Sequence, residues 1–269
     1  MSLQRHQDEL LNLGFTVVPG LIDLGRCAAL RETLDREFQE DDTAEGLAMV
    51  PSRMLRLPLV RDVPFRPEVV EVLGGLLGGQ YIVYPNFTTR RNLYVPWHVD
   101  VAFRGDNGGH SERPSFLQCA VYLQPNDKVV GGGIDVVPGS HKRVKVNDTY
   151  YAPASALEVF ARRQLVASAP GDLVIFDGRL LHASSGTEPR TAPVRKYGIF
   201  WTVSRADARS KEVLAHLKMR TSVLKDTGQE VPDARFADMR NLVFPDCYPD
   251  SAVSAEQAGL IRCATLETV

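Results

Sequence analysis

Between residues 81 and 204 the chain breaks into short β-like runs, at 81–84, 87–89, 94–100, 116–123, 134–137, 173–176 and 196–204. They are rich in Val, Ile, Phe, Tyr and Thr, and clusters of Gly, Pro, Asn and Asp separate them. Short runs set off by turn residues, with no helix alternating between them, predict a sandwich or jelly roll rather than a parallel α/β sheet. Ala169-Pro170-Gly171-Asp172 places Pro and Gly at the two central positions of a type II turn.

The flanks read differently. Residues 3–13 form a short helix that Gly14 ends, and 15–18 is a β-rich run stopped by Pro19-Gly20. Asp23 is a good N-cap for a second helix, on which Leu24, Cys27, Leu30, Leu34 and Phe38 recur as one apolar stripe. Residues 40–66 read as an irregular loop or a flap over a pocket, with Arg53, Arg56 and Arg61 in it. Pro67 opens an apolar helix that runs to Gly78-Gly79. Residues 205–220 look helical, and a polar tail with weak signals follows. The expectation is one domain over residues 1–269: a helical part to about 80, a jelly-roll core at about 81–204, and a helical or irregular end at 205–269.

Composition narrows the function classes. A formal net charge of −2 gives no reason to expect nucleic acid or an anionic membrane as partner. No apolar run approaches the ~20 residues of a membrane helix, and the polar N-terminus is unlike a signal peptide. Cys27, Cys119, Cys247 and Cys263 are scattered, which argues against a disulfide framework or a structural zinc site. The expectation is a cytoplasmic protein.

Only six histidines occur, and one lies in Trp97-His98-Val99-Asp100. On a strand, side chains two residues apart leave the same face roughly 6.5–7 Å apart, so His98 and Asp100 can reach one metal ion. A second histidine from a distant strand completes a 2-His-1-carboxylate triad with three open positions, typical of non-haem Fe(II) oxygenases. His6 and His216 lie on surface helices, His110 in a glycine-rich loop, and His141 in a turn. His182 follows a strand and bend with apolar flanks, which can fix an imidazole. Thirteen positions later Arg195 opens the last β-run. A guanidinium there suits a dicarboxylate co-substrate, since it forks a carboxylate and stays charged. Arg190, in a proline-flanked turn, is the alternative.

These residues resemble the phytanoyl-CoA dioxygenase family of Fe(II)/2-oxoglutarate-dependent oxygenases. The likeness lies in His98-Val99-Asp100, in the stretch from Gly132 to His141, in Pro170 to Phe176 leading to His182-Ala183-Ser184, and in Arg195-Lys196. It covers roughly residues 10–205. It implies a double-stranded β-helix core with flanking helices, and iron held by His98, Asp100 and His182. It further implies that Arg195 binds the far carboxylate of 2-oxoglutarate, assisted by Ser184. Asn86 and Gln118 are expected as polar contacts to that co-substrate. With O2 as the second co-substrate, the implied reaction is hydroxylation of an unactivated C–H bond with release of succinate and CO2. The carboxylate of Asp100 favours oxygenation, because halogenases of this class lack it. Thr187-Glu188 stand where the family often carries an asparagine, and the step to the arginine is long. The loops at 40–66 and 101–115 are expected to wall the pocket. Arg53, Arg56, Arg104 and Arg113 would there meet an acidic group of the substrate, and Phe103 and Trp201 an apolar body. Two other readings stay open: a cupin-like metal enzyme that does not use 2-oxoglutarate, and a non-catalytic ligand-binding jelly roll.

Overall fold

A computed structural model describes residues 2–39, 46–100, 116–128, 131–142, 161–185, 195–207, 209–220 and 234–266. The chain divides into two compact units, Met1–Leu47 with Arg90–Gly198, and Ala48–Thr89 with Ile199–Val269. In chain order the elements begin with α1 (Leu3–Leu13), β1 (Phe15–Val18), α2 (Leu24–Glu37) and β2 (Leu47–Ala48). Next come three helices, α3 (Pro51–Leu55), α4 (Pro58–Arg61) and α5 (Pro67–Leu77), and the strands β3 (Tyr81–Val83) and β4 (Thr88–Arg91). The central strands are β5 (Phe116–Tyr122), β6 (Ile134–Val136), β7 (Gln164–Leu165), β8 (Leu173–Asp177), β9 (His182–Ser184) and β10 (Tyr197–Arg205). Helices α6 (Arg209–Arg220), α7 (Ala234–Asp238) and α8 (Asp250–Gln257) and the strand β11 (Ile261–Cys263) end the chain.

In the first unit β8 lies between β1 and β5, antiparallel to both. Opposed residues share a face, so Gln118 and Phe176 project to one side, while Thr16, Ile175 and Cys119 project to the other. Helix α1 covers the Thr16 side: Thr16 Oγ1 lies 2.8 Å from His6 Nδ1 and also donates to Glu9. Gly14 ends α1 at φ 86°, and its N–H donates to Glu9 O and Leu10 O. Helix α2 is capped by Asp23, which accepts from Arg26 N at 2.8 Å. Cys27, Leu30, Leu34 and Phe38 are buried along it as the spacing predicts, but Leu24 is 68% exposed and outside the stripe. Asp23→Ala should cost about 1 kcal/mol. An unchanged urea midpoint would show that the cap contributes nothing.

A second antiparallel ladder in the same unit runs β7-β6-β9, with Val136 opposite His182 and Ile134 opposite Ser184. The turn before β8 is as predicted: Gly171 has φ 84°, and Asp172 N donates to Ala169 O at 3.2 Å. Its backbone is welded to the chain after β1. Ile22 N donates to Gly171 O, and the Asp172 carboxylate accepts from Gly20 N and Ala169 N.

In the second unit β3 pairs antiparallel with β10 and parallel with β11. Two expectations change here. The stretch at 46–66 is not an irregular loop. Pro51 and Pro58 start short helices, and Met49, Met54, Leu55, Val60, Val63 and Phe65 are buried core. Helices of five and four residues are too short to show a periodic stripe. The C-terminal stretch is not featureless either: it folds as α7, α8 and β11, and Ile261 is fully buried. Among the described residues no helix is long and apolar enough to cross a membrane.

Candidate metal centre

The β-run expected at 94–100 is not a continuous strand. Pro96 has no N–H to give a ladder, so pairing with the β9 segment is made at points on either side of it. Ser184 N donates to Val95 O at 2.9 Å, and Val95 N donates to Ser184 Oγ at 3.0 Å. Beyond the proline His98 and His182 exchange both backbone hydrogen bonds, at 2.9 and 3.0 Å, and Asp100 N donates to Gly178 O. The two histidines are therefore direct cross-strand partners, with rings 4.3 Å apart between centroids. Alternation supports the segment from behind. Val99 packs with Val137, Leu181 and Trp97 on the reverse face, which leaves His98 and Asp100 to project together on the other.

Their ligand atoms converge with that of His182 within 4.8 Å of one another, among the described residues the one such group of three or more. His98 Nε2 lies 3.6 Å from Asp100 Oδ1, and His182 Nε2 lies 3.6 Å from Asp100 Oδ2. Each imidazole also places Nδ1 on a backbone carbonyl, His98 on Pro96 O at 2.7 Å and His182 on Leu180 O at 2.9 Å. A carbonyl only accepts, so Nδ1 carries the proton and Nε2 presents its lone pair. The donor set thus fits a divalent transition metal: two neutral imidazole nitrogens and one carboxylate, with tautomers fixed by the main chain.

Electrostatics keep Asp100 and His182 in their binding forms. Burial pushes the His182 ring down to about 4, with Asp100 pulling the other way, so it stays neutral at ordinary pH. Burial would raise the Asp100 carboxyl, but its interactions with His182 and His98 and the charge of Arg90 outweigh it and hold the group ionised. Phe176 stacks obliquely on His182 with centroids 4.7 Å apart, which marks its face of β5 and β8 as the inner one.

Of the other expected site residues, Gln118 lies on that inner face, opposite Phe176. The Ser184 hydroxyl accepts from Val95 N and also lies within hydrogen-bonding reach of Leu93 O. Asn86 belongs to the second unit, where its amide donates to Thr202 Oγ1 at 2.9 Å. Arg195 pairs with Asp35 of α2 at 3.1 Å. His141 is buried in its turn with Nε2 on Leu11 O, as expected of a structural residue. Trp201 is fully buried in the second unit, so it fills a core and offers nothing to a substrate. Arg53 and Arg56 also belong to the second unit. Phe103, Arg104, His110, Arg113, Thr187, Glu188 and Arg190 lie outside the described residues.

Arg90 is the residue that motif reading missed. Its neighbour Arg91 donates to Phe38 O and lies over the Phe38 ring on the α2 side. Arg90 therefore leaves β4 by the opposite face, where its charge acts on Asp100, His182 and Tyr122. Two adjacent arginines in a strand-like run must point to opposite faces, and that signal was present in Thr88-Thr89-Arg90-Arg91.

The phytanoyl-CoA dioxygenase profile matches residues 12–192, about two thirds of the chain. The chain belongs to the phytanoyl-CoA dioxygenase family. A curated relative, the uncharacterised protein Rv1501 of Mycobacterium tuberculosis, is 26% identical over 199 residues, covering 68% of this chain and 69% of its own. Among solved structures the fold is similar to SnoN, a non-haem α-ketoglutarate-dependent epimerase from nogalamycin biosynthesis. That match has a TM-score of 0.59 at 18% identity, over 76% of this chain and 83% of SnoN. HygX from Streptomyces hygroscopicus, solved with nickel and 2-oxoglutarate bound, matches with a TM-score of 0.56 at 14% identity, over 73% and 85%. The fold is accordingly a large mixed sheet with flanking helices, of the double-stranded β-helix type. The family supplies the coarse activity, a 2-oxoglutarate-dependent oxygenase with Fe(II), 2-oxoglutarate and O2. It sets aside both a cupin-like enzyme that does not use 2-oxoglutarate and a silent binding module.

Proposed function

We propose that His98, Asp100 and His182 hold the iron, and that the enzyme hydroxylates an unactivated C–H bond of a small metabolite. The observation that carries the ligand assignment is the pair of Nδ1–carbonyl hydrogen bonds, which turns both Nε2 atoms toward the Asp100 carboxylate. When bound, iron supplies coupled oxidation, in which R–H, O2 and 2-oxoglutarate yield R–OH, succinate and CO2. The protein's own part is placement. The cross-strand pairing of His98 with His182 fixes the two imidazoles, and Phe176 closes one side of the second ring. Arg90 sets a positive charge at the metal end of the inner face, where a chelating 2-oxo acid brings negative charge. Ser184 and Gln118 add polar atoms nearby, and Asn86 is retained as a candidate contact. Just before β10, Arg195 is the candidate for the far carboxylate.

SnoN is an epimerase, so one fold of this kind serves more than one outcome. The Asp100 carboxylate fills the position a halide would need, which favours oxygenation over halogenation. A cytoplasmic setting and a small-molecule substrate bearing an acidic group complete the reading, with no nucleic-acid or membrane partner. The test is anaerobic titration of the Fe(II)-loaded protein with 2-oxoglutarate, followed by admission of O2 and assay of succinate. The expected result is saturable binding and slow succinate formation without an added substrate. Absence of both would end the proposal.

A further inference from the structure

The bend between β8 and β9 supplies two carbonyls to the candidate ligand residues. Gly178 O accepts from Asp100 N, and Leu180 O accepts from His182 Nδ1, each at 2.9 Å. In a trans peptide the C=O and the N–H of the next residue point opposite ways, so whatever holds the N–H aims the carbonyl. Arg179 N shares a peptide with Gly178 O and donates to Asp177 Oδ1 at 2.9 Å, while the Arg179 guanidinium forks the same carboxylate. Leu181 N shares a peptide with Leu180 O and donates to Ser140 Oγ at 2.9 Å. The peptide that faces Asp100 is thus aimed by a side chain of the bend itself. The peptide that faces His182 is aimed by one that lies 41 residues earlier.

Ser140 is well placed to hold it. Val137 N donates to Leu181 O at 2.9 Å and Ser140 N to Val137 O at 3.1 Å, so Leu181 has both main-chain groups on the 137–140 turn. That turn rests on the end of α1, where Gly139 N donates to Leu13 O and His141 Nε2 to Leu11 O. Leu181 is buried, so its N–H needs a protein acceptor, and it finds one in the Ser140 hydroxyl. Without that oxygen the Leu180–Leu181 peptide gains from rotating toward another acceptor, and Leu180 O turns away from the imidazole. The consequence for His182 is chemical. The Nδ1–H bond to Leu180 O keeps the ring proton off Nε2, and Nε2 is the atom that faces Asp100. Serine hydroxyl, amide and imidazole form one hydrogen-bonded series in which each bond polarises the next.

We infer that Ser140 is a positioning residue for metal binding: its hydroxyl aims the Leu180–Leu181 peptide, whose carbonyl holds the His182 ring with Nε2 directed at the metal. This rests on the reading of His182 as an iron ligand. The test is calorimetric titration of the full chain with Ni(II), beside NMR of the Zn(II)-loaded protein and a thermal melt. Ser140→Ala should lower Ni(II) affinity about tenfold, the low end for an outer partner of a ligand, because it acts through one peptide. In the Zn(II) form the His182 Nδ1 proton of this variant should exchange with water faster than in the parent. Ser140→Thr restores a hydroxyl and should return both readings to near the parent's. Asp172→Asn alters a buried carboxylate that accepts from Gly20 N and Ala169 N at the other end of β8. It should lower the melting temperature and leave affinity and proton exchange unchanged. If Ser140→Ala lowers the melting temperature alone, if Ser140→Thr fails to rescue, or if Asp172→Asn costs as much affinity, the inference is overturned while the iron reading stands. If His182→Ala binds Ni(II) as tightly as the parent, both fall.

Discussion

His182→Ala should weaken Fe(II) binding by at least about a hundredfold and reduce 2-oxoglutarate consumption to background, with the fold retained. Loss of an outer partner of a metal ligand already costs 10–100-fold, and a ligand contributes more. Retention of the fold follows from the main chain: the backbone exchange with His98 and the donation from Leu181 N to Ser140 Oγ do not need the imidazole. Calorimetry with Ni(II), which is insensitive to O2, gives the affinity, and a thermal melt reports the fold. A variant that binds metal as tightly as the parent would remove His182 from the site. Asp100→Asn should behave alike, since it keeps the shape and removes the anion that faces both Nε2 atoms.

The largest effect on stability is expected away from the metal. Gly171→Ala combines two costs. Its φ of 84° is left-handed, and a Cβ would lie 2.0 Å from the carbonyl oxygen of Ile22, a backbone atom that cannot swing aside. That oxygen's own residue is tied back by Ile22 N on Gly171 O at 2.9 Å, so the two strands' connections must separate together. The sum is about 3–5 kcal/mol. Gly20→Ala provides the internal comparison: φ is 65° but nothing lies within 4 Å of the added carbon. It should lose only the conformational part, about 1 kcal/mol. Urea midpoints of the two variants test the difference, and equal losses would show that the contact with Ile22 is relieved at no cost.

Legibility differed between the ligands and their surroundings. The His98–Asp100 half of the candidate triad could be read from spacing, because a two-residue step on an extended segment places both on one face whatever the rest does. Regular stretches such as α1, α2 and α5 were legible from caps and stripes, with Asp23, Pro67, Gly14 and Gly78 marking ends. The short helices at 51–61 were not, since neither completes two turns. Strand β11 was also hidden. Three residues carry no pattern, and they pair with β3 from across the chain.

From the residues alone came the β-rich class, the His-x-Asp step, His182 as its distant partner, and Arg195 ahead of the last long strand. These depend on local rules, on period two in strands and on the donor chemistry of imidazole and carboxylate. Only the folded chain decided which proton each imidazole carries, because the Pro96 and Leu180 carbonyls are set by backbone pairing. It also decided that Arg90 faces inward, and which way each of two neighbouring cations turns. Arg195 and Lys196 differ by one position, and a one-residue step on a strand reverses the face. Helix α2, more than 150 residues away in sequence, draws Arg195 to its side by offering Asp35.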